Sequence, residues 1–250
     1  MDTLKGQRVF LTGAAGGLGA GLALALAQRG AVLGIADRNG EGLDRTRDEL
    51  QKHKLACWLR PFDVTDETEV RSAVAGFVDA HGGIDLVINN AGLLNVAPVV
   101  DLELRDWRRV LDVNATGTFL VSQAVVREMI RTKVAGSVVC ISSIAGKVGD
   151  PGLAHYSASK FAVIGFVQSL AREVAAHDIT VNAVCPGIVD TPMIHDLVRG
   201  SNCELDDFIK LQLIKRPQTP DEIARAIIFL HGSRSITGQS LSVDGGTYFH

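Results

Sequence analysis

The sequence predicts an α/β fold, a doubly wound parallel sheet of seven strands in a single domain. Short apolar runs alternate with amphipathic stretches at helical spacing from one end of the chain to the other, which is the mark of βαβ units with helices on both faces of a sheet. A glycine-rich turn joins the first apolar run to the first helical stretch. No Pro/Gly/Ser-rich linker, repeat or low-complexity tract interrupts the alternation, so the 250 residues read as one unit.

In chain order, residues 7–12 read as the first strand, then a glycine turn and a helix over 18–29. Residues 31–36 form the second strand, closed by Asp37-Arg38-Asn39-Gly40, and 41–54 a charged amphipathic helix. Residues 55–62 are a strand with polar residues inside it, 67–81 a helix and 85–89 a short buried strand. Residues 101–129 divide into two helical stretches separated near Asn114. A strand at 137–141, a long helix at 154–176, a strand at 179–184, a helix at 221–230 and a strand at 239–243 complete the pattern. Between Pro186 and about Pro220, a stretch holding His195, Arg199, Gly200 and Asn202, no element is legible. Long loops in compact domains are usually lids or binding loops, so the 186–220 segment is expected to close over a substrate.

Composition removes several classes of function. With 25 Lys and Arg against 28 Asp and Glu, the chain has a formal charge of −3 and lacks the basic footprint of a nucleic-acid binder. Hydrophobic residues at 46% and charged ones at 21% exclude disorder. The 26 glycines exceed the ~7% average and point to tight turns and backbone lying close to a ligand. Cys57, Cys140, Cys185 and Cys203 contain no CxxC pair and read as free thiols in a reducing cytoplasm. The seven histidines form no HExxH or other close ligand cluster, so no metal is expected. Residues 9–27 resemble a signal peptide in their apolar character and Ala25-Leu26-Ala27 ending, but Gly13, Gly16, Gly17, Gly19 and Gly21 interrupt them. No apolar run approaches the ~20 residues that span a membrane. A soluble cytoplasmic protein with a small-molecule substrate, and neither membrane nor nucleic acid as partner, is the expectation.

Two constellations carry chemistry. Thr12-Gly13-Ala14-Ala15-Gly16-Gly17-Leu18-Gly19 stands where strand meets helix, where glycines admit a pyrophosphate to the backbone and the helix N-terminus holds its charge. The spacing is TGxxxGxG rather than GxGxxG. Asp37 ends the second strand at about the ~20-residue offset from which an acid accepts adenine-ribose hydroxyls. Its carboxylate repels a 2′-phosphate and favours NAD over NADP, although Arg38 could accommodate that phosphate. Farther on, Tyr156 and Lys160 stand at i and i+4 on the long helix. An ammonium there is expected to lower the phenol's pKa from its usual ~10 toward the range useful for acid–base work. Ser142 and Ser143 both lie just past the strand 137–141, at the sheet edge where open α/β folds bind ligands.

With these motifs in order, the chain resembles the short-chain dehydrogenase/reductase family along essentially its whole length, and a Rossmann-like fold is implied. The resemblance rests on 12–19, Asp63-Val64, Asn89-Asn90-Ala91-Gly92, Asn114, the Ser143/Tyr156/Lys160 set and Pro186-Gly187. The spacing from Tyr156 selects Ser143 over Ser142 as the family's serine. The resemblance implies that Gly13, Gly16, Gly17, Leu18 and Gly19 hold the pyrophosphate, Asp63 and Val64 the adenine, and Asn90, Ala91 and Gly92 the cofactor's ribose. It implies that Pro186, Gly187, Val189 and Thr191 grip the nicotinamide end, and that Asn114 holds a water in a proton relay. Tyr156 would be the acid–base, Ser143 would fix the substrate oxygen, and Lys160 would tune Tyr156 and bind ribose hydroxyls. A homotetramer is implied, formed through the small-residue faces at 115–123 and 158–165 and the segment 242–250.

The segments 144–155 and 186–196 are expected to flank the substrate, and they look most like those of the acyloin, diol and polyol dehydrogenases that use NAD. Lys147, Asp150, His155 and His195 are the candidates for contacts to substrate hydroxyls. Ile144 departs from the Gln often found there in acetoin-reducing members. The alternatives are an NADPH-dependent 3-oxoacyl-thioester reductase, disfavoured by Asp37, and a dinucleotide-binding module without catalysis.

Overall fold

The computed structural model describes residues 3–201 and 203–249. Asn202, expected in the lid, and His250, at the end of the segment expected to meet a partner copy, lie outside them. Seven strands form one parallel sheet: β1 Arg8–Thr12, β2 Val32–Asp37, β3 Cys57–Pro61, β4 Leu86–Asn89, β5 Ser137–Ile141, β6 Thr180–Pro186 and β7 Ser240–Val243. They lie in the order β3-β2-β1-β4-β5-β6-β7. The order reverses between β1 and β4, and the carboxyl ends of those strands flank the crevice where such sheets bind ligands.

The helices cover both faces because the central strands are mostly apolar on both sides. On one face α1 Gly17–Gln28, α2 Gly40–Lys52 and α9 Pro220–Gly232 pack Leu22, Leu26, Leu43, Ile223 and Ile227 against Leu33, Ile35 and Ile88. On the other, α3 Glu67–His81, α5 Gly117–Thr132 and α6 Ala154–Val174 pack Val74, Phe77, Val121, Val125, Val163 and Val167 against Phe10, Val138 and Val181. Gly34 on β2 leaves room for the Phe77 ring, since a Cβ there would lie 2.6 Å from it.

Three differences from the sequence reading bear on the site. The stretch near Asn114 is not a break: α4 Leu104–Leu111 runs through a π-helical turn, Asp112–Thr116, directly into α5. Such turns insert one extra residue without ending the helix and often mark functional positions. The 186–220 segment holds two helices, α7 Pro192–Gly200 and α8 Leu205–Leu211. Thr191 precedes a proline at the start of α7, and Glu204 and Asp207 form a capping box on α8, so start signals were present in the residues. The strand expected to end at residue 184 continues to Pro186. Among the described residues no helix is long and apolar enough to cross a membrane, and no cluster of His, Cys, Asp or Glu could hold a metal ion.

Candidate active site

A cavity of about 920 Å³ opens along the carboxyl ends of the strands. At its dinucleotide end the backbone itself makes the wall. Gly13 has φ +68, and a Cβ on it would lie 2.6 Å from the Ala91 Cα; a Cβ on Gly19 would strike the carbonyl oxygen of Gly13. Gly16, the N-cap of α1, faces open space instead. No side chain caps α1 and its first turn holds no acid, so its N–H groups are left for an anionic ligand. A glycine cradle of this kind fits a pyrophosphate.

The cradle is held by Thr12, whose importance the sequence reading missed. Its buried Oγ1 accepts from the backbone N–H groups of Asn90 and Ala91, both at 3.2 Å. Asn90 answers through Nδ2, donating to the carbonyls of Thr12 and Gly13 at 3.1 and 3.0 Å. This clamp joins the turns after β1 and β4. At the end of β2 both carboxylate oxygens of Asp37 accept backbone N–H groups, from Ala15 at 3.1 Å and Asn39 at 2.9 Å. Arg38 beside it is exposed on the cavity rim. Asp63 lines the same end, its Oδ1 accepting from the Thr65 N–H and hydroxyl.

In the middle of the cavity Ser143, Tyr156 and Lys160 converge from β5 and α6. Tyr156 is 7% exposed and Lys160 4%. Burial pushes the phenol up to about 12, an effect that the neighbouring Ser143 hydroxyl only partly offsets. Burial brings the Lys160 ammonium down to about 8. Burial therefore outweighs the lowering of Tyr156 expected from Lys160. The Lys160 Nζ donates to the Ile141 carbonyl at 2.9 Å and stands 5.7 Å from the centre of the Tyr156 ring.

Asn114 sits behind the wall and is 1% exposed. Its Oδ1 accepts from the Leu93 N–H at 2.9 Å, and its Nδ2 donates to the Leu93 carbonyl and the Ser159 hydroxyl at 3.0 and 2.9 Å. It fixes the 90–93 turn against α6. The remaining dinucleotide candidates (Gly17, Leu18, Val64, Ala91, Gly92, Pro186, Gly187, Val189 and Thr191) all lie on the cavity wall.

The substrate end differs from expectation. His155 is wholly buried with its Nε2 2.6 Å from Asn95 Oδ1, His195 is exposed and faces Asp190, and Lys147 donates to the Ser240 carbonyl and the Ser242 hydroxyl on β7. None of the three lies on the wall; of the four polar candidates only Asp150 does. Apolar side chains take their place: Leu94 and Val96 after β4, Leu153 before α6, Met193 and Leu197 on α7, and Phe208 on α8. Three of these stand in turns and three on the short helices of a segment expected as loop, where no spacing signal singles them out.

A dinucleotide cradle ending on a half-buried serine beside a buried tyrosine and lysine defines an oxidoreductase that works through a nicotinamide dinucleotide. The comparisons agree. A model of the short chain dehydrogenase family matches residues 7–202. The 3-oxoacyl-[acyl-carrier-protein] reductase FabG of Thermotoga maritima is 37% identical over 247 residues, covering 97% of this chain and 98% of its own. Oxidoreductase UcpA of Salmonella typhimurium is 36% identical, covering 99% and 96%. Among solved structures, a short-chain type dehydrogenase/reductase from Mycobacterium marinum superposes with a TM-score of 0.93 at 30% identity, over 100% of this chain and 98% of that one. An actinorhodin polyketide ketoreductase variant with NADPH gives 0.91 at 34% identity, over 96% and 97%. The chain belongs to the short-chain dehydrogenase/reductase family.

Proposed function

We propose that this enzyme reduces the ketone of a 3-oxoacyl thioester, or of a closely related 3-oxo compound, to the 3-hydroxy product. The observation that carries this reading is the apolar substrate wall, on which three of the four side chains offered for polyol hydroxyls do not appear. Asp150, Ser201, Thr247 and Tyr248 are also on the wall, but a polyol would still strip most of its hydroxyls of water against leucine and valine, a cost that an acyl chain avoids. The names of the relatives and of the NADPH-bound neighbour support the same choice.

The protonation state of Tyr156 also suits reduction. A phenol at about 12 holds its proton at neutral pH and is ready to give it to a carbonyl oxygen as that oxygen gains charge. Ser143 would hold the same oxygen in place. The dinucleotide, when bound, supplies the hydride. Lys160 would hold its ribose hydroxyls and, as an ammonium, favour loss of the Tyr156 proton. Lys160 Nζ and Asn114 Oδ1 both flank Gly92, 3.5 and 3.3 Å from where its Cβ would lie, and water held between them would return protons to Tyr156.

For the cofactor we favour NADPH. Asp37 Oδ2 already braces the glycine turn through Ala15 and Oδ1 the start of α2 through Asn39, and the exposed Arg38 guanidinium suits a 2′-phosphate. NADH is the second reading, favoured by the negative charge of Asp37 at the ribose end. The test is absorbance-followed reduction of an acetoacetyl thioester with each cofactor, beside oxidation of sugar alcohols and vicinal diols with NAD. Thioester reduction with NADPH is expected; turnover of polyols with NAD and none of thioesters would overturn the reading. A solution assembly of several copies is part of the same proposal, supported by Phe119, Phe161 and Phe249 at 42%, 47% and 75% exposure. Light scattering would test it, a monomer being the contrary result.

A further inference from the structure

His155 stands next to the catalytic tyrosine, yet its ring points away from the cavity. It is 0% exposed, and its Nε2 lies 2.6 Å from Asn95 Oδ1. With that oxygen as acceptor, Nε2 carries the hydrogen, and the buried Nδ1 has no hydrogen-bond partner among the described residues. Burial pushes the imidazole below its ordinary range, only partly offset by Asp106 and the Asn95 main chain, so the ring is neutral. The bond to Asn95 Oδ1 ties the buried imidazole to the segment after β4.

The residue after Asn95 shows what the bond does. Val96 is wedged between two glycines from separate walls of the cavity. A Cβ on Gly152, in the turn before α6, would lie 3.0 Å from Val96 Cγ1; a Cβ on Gly200, at the end of α7, would lie 2.7 Å from Val96 Cβ. The Ala97 N–H donates to the Gly152 carbonyl at 3.0 Å. Val96 also joins Leu94, Leu153 and Leu197 in the small apolar cluster around Tyr156. Three segments distant in sequence thus meet on one valine.

We propose that the His155–Asn95 bond is a latch that seats Val96 between Gly152 and Gly200, which makes His155 a positioning residue for the substrate wall. The latch sets the width of the substrate end and the seating of α7. It leaves hydride and proton transfer to the residues already named. It follows that loosening the latch weakens substrate binding and frees α7, while the dinucleotide end, clamped separately by Thr12 and Asn90, keeps its affinity. The kinetic part rests on the ketone-reductase reading; the structural part does not.

The experiment compares wild type with Asn95→Ala, His155→Leu, the double variant and His155→Gln, which retains a side-chain N–H donor. Hydrogen exchange is read at residues 93–98 and 192–201. Steady-state kinetics are read with an acetoacetyl thioester, and dinucleotide affinity by fluorescence titration. Asn95→Ala and His155→Leu are expected to speed exchange in both segments and to raise KM by about tenfold, the size of one net hydrogen bond, with kcat within about twofold. Dinucleotide affinity should hold. The double variant should be no worse than either single one, and His155→Gln should recover most of the loss. Unchanged exchange in Asn95→Ala, additive losses, or a fall confined to kcat would overturn the latch. Asn95→Ala carries the test if the wholly buried His155→Leu does not fold. If wild type reduces no thioester while exchange responds as described, the reaction reading fails and the latch stands.

Discussion

Along the dinucleotide end of the cavity, backbone meets backbone; along the substrate end, apolar side chains from three segments meet one another. The first wall is made by Gly13, Gly16 and Gly19 under the Thr12–Asn90 clamp. The second is made by residues such as Val96, Leu153 and Leu197, whose neighbours lie far away in sequence. A wall of backbone accepts one kind of ligand, because its N–H groups and close approaches are fixed by chain geometry. A wall of aliphatic side chains can be reshaped by single substitutions without disturbing the sheet behind it. One end of this enzyme is therefore generic and the other particular to it.

That contrast can be broken most sharply where the two ends meet. Tyr156→Phe removes the proton donor and should lower kcat by at least roughly 10²–10⁴-fold, with dinucleotide affinity intact. Turnover near wild type in that variant would sink the assignment. Gly19→Ala attacks the backbone wall, since its methyl lands on the Gly13 carbonyl oxygen. A loss of about 1–3 kcal/mol in denaturant unfolding is expected, together with failure to bind dinucleotide. A variant as stable as wild type and binding normally would show that the cradle yields more than its contacts imply.

Acidity gives a third handle. Lys160 is an ammonium below its value of about 8 and loses its charge above it, while Tyr156 keeps its proton until about 12. The rate of reduction should therefore fall as pH rises through about 8, tenfold per unit if the ammonium is essential. A flat profile to pH 10 would place the essential charge elsewhere. Leu197→Ala tests the side-chain wall and should raise substrate KM about fivefold, equivalent to roughly 1 kcal/mol of lost apolar contact, without altering dinucleotide affinity. The smallest effect is expected at His195, exposed and off the wall, where Ala should change kcat/KM by no more than about 0.5 kcal/mol.

Much of this was legible before any coordinates. The alternation of apolar runs specified seven strands and both helical layers, because the central strands bury both faces and each helix one stripe. The glycine turn was readable because only glycine adopts φ +68 at Gly13 without strain, and Tyr156 and Lys160 were readable because a helix puts i and i+4 on one side. Helices α7 and α8 left caps in the sequence, but too few periodic residues to outweigh a loop. Tertiary structure alone decided the rest: that burial raises Tyr156 and lowers Lys160, that His155 faces Asn95 and not the cavity, and that Lys147 reaches β7. Local pattern records what a residue shares with its near neighbours in the chain. Which way a loop side chain turns, and how much water it keeps, depends on segments that only folding brings beside it.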